Sequence, residues 1–204
     1  MTIFEAIKVR RSVRKFKDSP IPDDIINEML EAARLSPSGG NAQGYVFGVI
    51  RDRELKLQLA KAAGNQIWIA TAPVVFACCA DISWDIADSS EDDFGLIVNN
   101  LRFGKDFINY LNGYPNRKEC MTLFANATPL IPAEHIFLTA VLHGLSACFI
   151  GYLDVKKASE ILNLPEQLSC LFLLPVGYAD EIPGEKNLKS IDEISFYDKW
   201  KDEY

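Results

Sequence analysis

Pro73-Val74-Val75-Phe76-Ala77-Cys78-Cys79-Ala80 is an uncharged apolar run of strand length, and it reads as a buried β-strand. Upstream, Tyr45 to Ile50 reads as a second strand, with a helix carrying Leu55, Leu59, Ala62 and Ala63 between the two. Nearer the start, Thr2 to Val9 has the spacing of a short amphipathic helix with Ile3, Phe4, Ala6 and Ile7 on its apolar side. Pro22, with Asp23 and Asp24 in the first turn, opens a helix that Ser36-Pro37 stops, and Ser36 to Gly44 is a loop of small residues. Downstream, Phe94 to Leu111 reads as one helix, broken by Gly113-Tyr114-Pro115-Asn116. An apolar helix opens at Pro132-Ala133-Glu134 and ends near Gly144, Ala147 to Gly151 reads as a strand, Val155 to Leu162 as a short helix, and Leu168 to Val176 as the last strand. Several helices stand between some strand pairs, so the sheet is not simply wound and the class is α+β, a sandwich of helices on a sheet. From Gly177 to Tyr204 the chain is polar, and its late cluster Phe196, Tyr197 and Trp200 predicts a tail lying on a partner subunit.

At 204 residues the expectation is a single domain, 1–204. Surface scaling gives about 9,600 Å2 for a compact monomer of this mass, with about 70% of the unfolded surface buried, so a core forms without staples. The net charge is −7, which disfavours general nucleic-acid binding. Five cysteines without C-x-x-C spacing support neither a disulfide framework nor a zinc site, and they point to a reducing, cytoplasmic setting. The opening residues lack the apolar stretch of a signal peptide, so the sequon Asn126-Ala127-Thr128 is expected to be idle. Ile136 to Leu153 imitates a membrane span, but His143 within it and the lack of a second candidate favour a helix and strand buried in protein.

Charge is distributed unevenly. Residues 1–20 hold Lys8, Arg10, Arg11, Arg14, Lys15 and Lys17 against two acids, whereas residues 81–93 hold Asp81, Asp85, Asp88, Glu91, Asp92 and Asp93 with no base. The acidic run reads as a solvated face. The basic one comes directly after the first helix, so guanidinium groups and the Ser12 hydroxyl converge where the chain leaves it.

Common site types fail on their letters. No G-x-G-x-x-G follows a strand, and Gly39-x4-Gly44 is followed by Tyr45 in place of the lysine of a phosphate loop. Gly144-Leu145-Ser146-Ala147-Cys148 ends in cysteine where a nucleophile elbow needs glycine. His135 and His143, the only histidines, are eight residues apart on the apolar helix and read as buried or interface side chains, so no metal site is expected. With no evident nucleophile, base or metal, an enzyme built this way needs a cofactor with its own reactivity.

Three stretches in order, Arg10-Arg11-Ser12-x-Arg14, Ser36-Pro37-Ser38-Gly39-Gly40-Asn41-x-Gln43 and Gly144-Leu145-Ser146-Ala147-Cys148-Phe149-Ile150-Gly151-Tyr152, resemble the FMN-dependent nitroreductase family over essentially the whole chain, least from Asp81 to Leu130. The resemblance implies a mostly antiparallel central sheet flanked by helices, and a homodimer with FMN bound between subunits. It assigns the FMN phosphate and ribityl chain to Arg10, Arg11, Ser12 and Arg14, with Arg14 reaching the N1 edge. Pro37, Ser38, Gly39 and Asn41 would come from the other subunit, and Gly39 stands where the family often has serine. Asn65 would read the pyrimidine edge, and Trp68 replaces a lysine found in some members. Phe149, Ile150 and Gly151 would lie along the ring, with the Gly151 N–H aimed at N5. Lys186 and Lys189 would face phosphate, although Leu188 holds a frequent arginine position. The implied reaction is ping-pong hydride transfer from NAD(P)H to a nitroaromatic, quinone or similar acceptor, with no catalytic side chain named. A flavin carrier or sensor is the alternative.

Overall fold

The computed structural model describes residues 1–200. Its centre is a four-stranded antiparallel sheet with strand order β1-β2-β4-β3: β1 is Tyr45–Ile50, β2 Val74–Asp81, β3 Ser146–Ala147 and β4 Leu168–Gly177. β2 runs against β1 from Tyr45↔Ala80 to Ile50↔Val75, and against β4 from Val74↔Val176 to Asp81↔Leu168. A register shift at Cys78/Cys79 bulges β4, where Cys78 pairs with Phe172 and Cys79 with Cys170.

Because side chains alternate along a strand, β2 sends Val74, Phe76 and Cys78 to one face and Val75, Ala77 and Cys79 to the other. Helices cover both faces. On the first lie α2 (Asp23–Arg34) and α7 (Leu130–Leu142), which meet through Ile26, Met29, Ala33, Ala133, Ile136 and Phe137. On the second lie α3 (Arg53–Ala62) and α8 (Val155–Ile161), through Leu59, Ala60 and Ala158. The α+β sandwich expected from the sequence is therefore the observed architecture. Lys56 of α3 is buried, and its ammonium donates to the Ala72 carbonyl at 2.6 Å; desolvation pulls its pKa down. The two histidines tie α7 to α2: His135 Nδ1 lies 2.5 Å from Ser36 Oγ, and His143 Nε2 lies 2.8 Å from Glu28 Oε2. No helix among the described residues is long and apolar enough to cross a membrane.

Helix α1 is Ile3–Val9, closed at its start by a capping box in which Glu5 N donates to Thr2 Oγ1 and Thr2 N to Glu5 Oε2. Of its expected apolar side only Ala6 is buried in this chain; Ile3, Phe4 and Ile7 face outward.

Three sequence expectations need correction. The helix expected over 94–111 is two, α4 (Phe94–Phe103) and α5 (Lys105–Asn112), because Gly104 takes φ +85° and ψ 143°, a conformation open to glycine that ends one helix and redirects the next. A further helix, α6 (Arg117–Phe124), lies directly beyond the break at Gly113 to Asn116, where the sequence reading places no element. The strand expected over 147–151 is reduced to Ser146–Ala147 plus an isolated bridge at Ile150↔Leu173. Residues 178–200 form no helix or strand; Tyr204, the expected end of the tail, lies outside the described residues.

Candidate functional site

The last turn of α1 leaves backbone carbonyls without helical partners, and cations satisfy them. Lys186 Nζ donates to Ile7 O at 3.2 Å and Lys8 O at 2.8 Å, and Arg11 Nη1 donates to Lys8 O at 3.2 Å and Arg10 O at 3.1 Å. Desolvation, then repulsion from Arg11 and Arg10, holds the Lys186 ammonium below the usual lysine range. Arg10 lies over the Phe137 ring, 5.2 Å from its centre, and 4.0 Å from Glu134, whose carboxyl burial pushes up against the pull of Arg10.

Beyond α1 the basic segment runs as an added edge beside β3. Ser12 pairs in parallel with Ala147, Val13 N donates to Ala147 O at 3.1 Å, and Phe16 bridges Ala179. The Arg14 N–H donates to Glu181 Oε1. Next along the same stretch sits the Cys148 thiol: burial raises its pKa, while the Arg14 charge and the Ser12 hydroxyl pull it down. Phe149 then packs on Phe137 with ring centres 5.9 Å apart, so Arg10 and Phe149 share one aromatic neighbour. Ile150 exchanges two backbone hydrogen bonds with Leu173, and the Gly151 N–H just after it makes none among the described residues. Tyr152 lies against the turn at Gly64 and Asn65, whose φ values are +68° and +60°.

One continuous strip therefore gathers Arg10, Arg11, Ser12, Arg14, Phe149, Ile150, Gly151 and Lys186, with Asn65 at its far end. Pro37, Ser38, Gly39 and Asn41 are not brought to it within one chain. Their loop is closed by Gln43 N donating to Ser38 Oγ at 2.9 Å, and Gly40 faces the Phe94 ring. Lys189 has no polar partner among the described residues.

A family model described as the nitroreductase family matches residues 7–178 of this sequence. The chain belongs to the nitroreductase family. A Thermus thermophilus protein named NADH dehydrogenase is 27% identical over 172 residues, 84% of this chain and 84% of its own length. A Bacillus subtilis protein named FMN reductase (NADPH) is 24% identical over 89% of this chain and 68% of its own. B. megaterium NfrA1 shares the fold with a TM-score of 0.74 at 26% identity, covering 98% of this chain and 75% of that one. The NADPH:FMN oxidoreductase from Vibrio harveyi complexed with NAD+ also has a TM-score of 0.74, at 23% identity, a likeness of fold alone, covering 98% and 78% of the two chains. Its place in the nitroreductase family makes this chain an oxidoreductase.

Sequence reasoning misses three groups along this strip: Glu134 beside Arg10, Glu181 on the Arg14 N–H, and Tyr152 against the Gly64 turn. A carboxylate expected to be solvated gives no signal in a sequence when the fold places it beside an arginine 124 positions earlier. Tyr152 closes the third quoted stretch, where it carries no role, and is the most readily found.

Proposed function

We propose that the chain is an FMN-dependent NAD(P)H oxidoreductase, working in the cytoplasm as a homodimer and passing electrons to a nitroaromatic, quinone or similar small acceptor. The observation that carries this reading is the strip from α1 to Gly151: a surplus of cation at one end, an unpaired backbone donor at the other, and aromatic surface between them. The donor set fits FMN. Among the described residues Arg10, Arg11 and Lys186 converge with one ion-paired carboxylate, Glu134, to offset them, and Arg11 uses a single guanidinium nitrogen on carbonyls, leaving donors for a phosphate dianion.

When bound, FMN supplies a ring that accepts hydride from NAD(P)H and returns electrons to the acceptor. The protein's part is binding and orientation. Arg10, Arg11, Ser12 and Lys186 would hold the phosphate, with Lys189 in support. Arg14 would set a positive charge at the N1 edge, and Asn65 would read the pyrimidine edge. Phe149 would give the ring an apolar wall, while Ile150, whose side chain is buried in the cluster on the other face of the sheet, would lie along it through its backbone. The free Gly151 N–H would face N5, and Pro37, Ser38, Gly39 and Asn41 of the second chain would complete the pocket. No side chain is assigned as acid, since water can deliver protons. The homodimer is supported by area: one chain exposes 12780 Å2, about 3,000 Å2 beyond the scaling value, so two chains have about 6,000 Å2 in excess, enough for the roughly 2,000–5,000 Å2 in total that obligate interfaces bury. The tail adds exposed Leu188, Ile191, Ile194 and Tyr197.

The test is direct. The purified protein should be yellow or quench FMN fluorescence on titration, sediment as a dimer, and oxidise NADH or NADPH steadily in the presence of a quinone; a protein that gains no flavin spectrum with excess FMN ends the reading. Arg14→Ala should weaken FMN binding by about tenfold or more and lower the flavin potential, with an unchanged far-UV spectrum. Equal FMN affinity and potential in that variant would remove Arg14 from the site.

A further inference from the structure

A cavity of about 390 Å3 opens between the end of α3 and the start of α8, beside the strip but outside the residues assigned to the flavin. Its walls include Lys61, Gly64, Tyr152, Asp154 and Lys157. The two helices are tied at its base by Asp154 N donating to Ala62 O at 2.9 Å. One wall is fixed by contact: a Cβ on Gly64 would fall 2.1 Å from a Tyr152 ring carbon, so the ring lies directly on the backbone of that turn. Even so, Tyr152 is 78% exposed, which leaves the rest of its ring for a ligand. The lining also holds two cations, Lys61 and Lys157. Neither the Lys61 nor the Lys157 ammonium has a hydrogen bond or ion pair among the described residues. The one carboxylate in the lining, Asp154, is turned to α8, where it accepts from Lys157 N at 3.0 Å as the helix cap. Two ammonium groups against one committed carboxylate leave this cavity positive in a chain of net charge −7.

An exposed aromatic face beside paired lysines is the chemistry that takes a phosphorylated aromatic: the ring stacks and the ammonium groups act as point charges for phosphate. The location narrows the class. Two of its lining residues, Tyr152 and Gly64, are the direct chain neighbours of Gly151 and Asn65, which the flavin reading sets at the edge where hydride would arrive. We propose that this cavity receives the adenosine-phosphate half of NAD(P)H, with the adenine on Tyr152 and the phosphate between Lys61 and Lys157. The inference rests on the reading of the chain as an NAD(P)H oxidoreductase and adds the subsite that holds the donor.

The experiment compares the wild-type holoprotein with a Lys61→Ala/Lys157→Ala double variant and with Tyr152→Leu, all surface changes checked by thermal midpoint. In the double variant, KM for NADPH or NADH should rise about tenfold while kcat holds, and the wild-type KM should fall as salt is lowered. FMN affinity and the reoxidation by a quinone of flavin reduced with dithionite should not move, because neither step uses the cavity. Calorimetric titration with adenosine 2′,5′-bisphosphate and with ADP gives a readout free of turnover: at least one should bind the wild type and bind the double variant about tenfold more weakly. Tyr152→Leu should weaken the same ligands while leaving inorganic phosphate unaffected. Nucleotide KM and calorimetric affinity within twofold of wild type in the double variant, with FMN still bound, would overturn the assignment. If the protein takes up no FMN, the oxidoreductase reading fails by itself and calorimetry still decides the cavity: binding lost with the lysines upholds it, and binding absent or unaltered overturns it.

Discussion

The sheet body and the lobe made by α4, α5 and α6 are held by different physics. In the body, β2 is buried along all but its last residue, and two large apolar clusters fill both faces. In the lobe only Ile82, Ile86, Ile108 and Met121 form a buried cluster, while Leu101 is 87% exposed. What the lobe lacks in apolar burial it replaces with directional contacts. Arg117 forms a two-pronged ion pair with Asp85 and donates to Leu111 O at 2.6 Å, and Trp84 Nε1 donates to Asp93 Oδ1 at 3.2 Å. Non-directional burial adds up over area, whereas a latch fails when one partner is lost. The body can thus hold the strip rigid while the lobe responds to local changes.

The two can be set apart by perturbation. Phe76→Ala removes a fully buried ring from the centre of β2; the expected loss is about 3–5 kcal/mol, a fall in thermal midpoint of about 10 °C or more, with protection from hydrogen exchange falling throughout. Asp85→Ala leaves the half-buried Arg117 guanidinium without its carboxylate, held by backbone carbonyls alone, and should cost about 2 kcal/mol, with lost exchange protection confined to residues 94–124. A global loss in that variant would mean the lobe is part of one cooperative unit. Acid should reproduce the effect. The hydrogen bond from Arg117 holds the Asp85 carboxyl below its ordinary range, so its contribution is complete above about pH 5 and is lost as pH falls through the depressed folded value, the lobe opening before the sheet. Gly104→Ala meets no atom within 4 Å, so only the left-handed backbone resists it, and about 1–2 kcal/mol of lobe stability should go, read by the same exchange experiment. Smallest is Arg34→Ala, which breaks an exposed pair with Glu31 on the body; the midpoint should stay within about 1 °C of wild type.

The same contrast decides how much can be read from the letters. The strands at 45–50, 74–81 and 168–177 fall within one residue of their expected limits: β2 is written as an uninterrupted apolar run, β4 nearly so, and the half-buried β1 as a short β-branched and aromatic run. The lobe defeats the same reading because its helices are short and partly exposed, so periodicity runs across Gly104 as if Phe94 to Leu111 were one element. Helix α6 does carry a signal, Asn116 followed three residues later by Glu119 just after Pro115. At the site, the Arg10 to Arg14 cluster is legible as charge density, whereas its meeting with Lys186 depends on a tail that crosses back over α1 from more than 170 residues away. The loop at Pro37 to Asn41 stays apart in a single chain, so only the dimer can test its assignment.

Gly64 carries a consequence beyond its own turn. Any side chain there evicts the Tyr152 ring, and a φ of +68° discourages most residues whether or not the ring moves. The two positions are therefore expected to vary as a pair: relatives in which 64 is no longer glycine should show a smaller or redirected residue at 152.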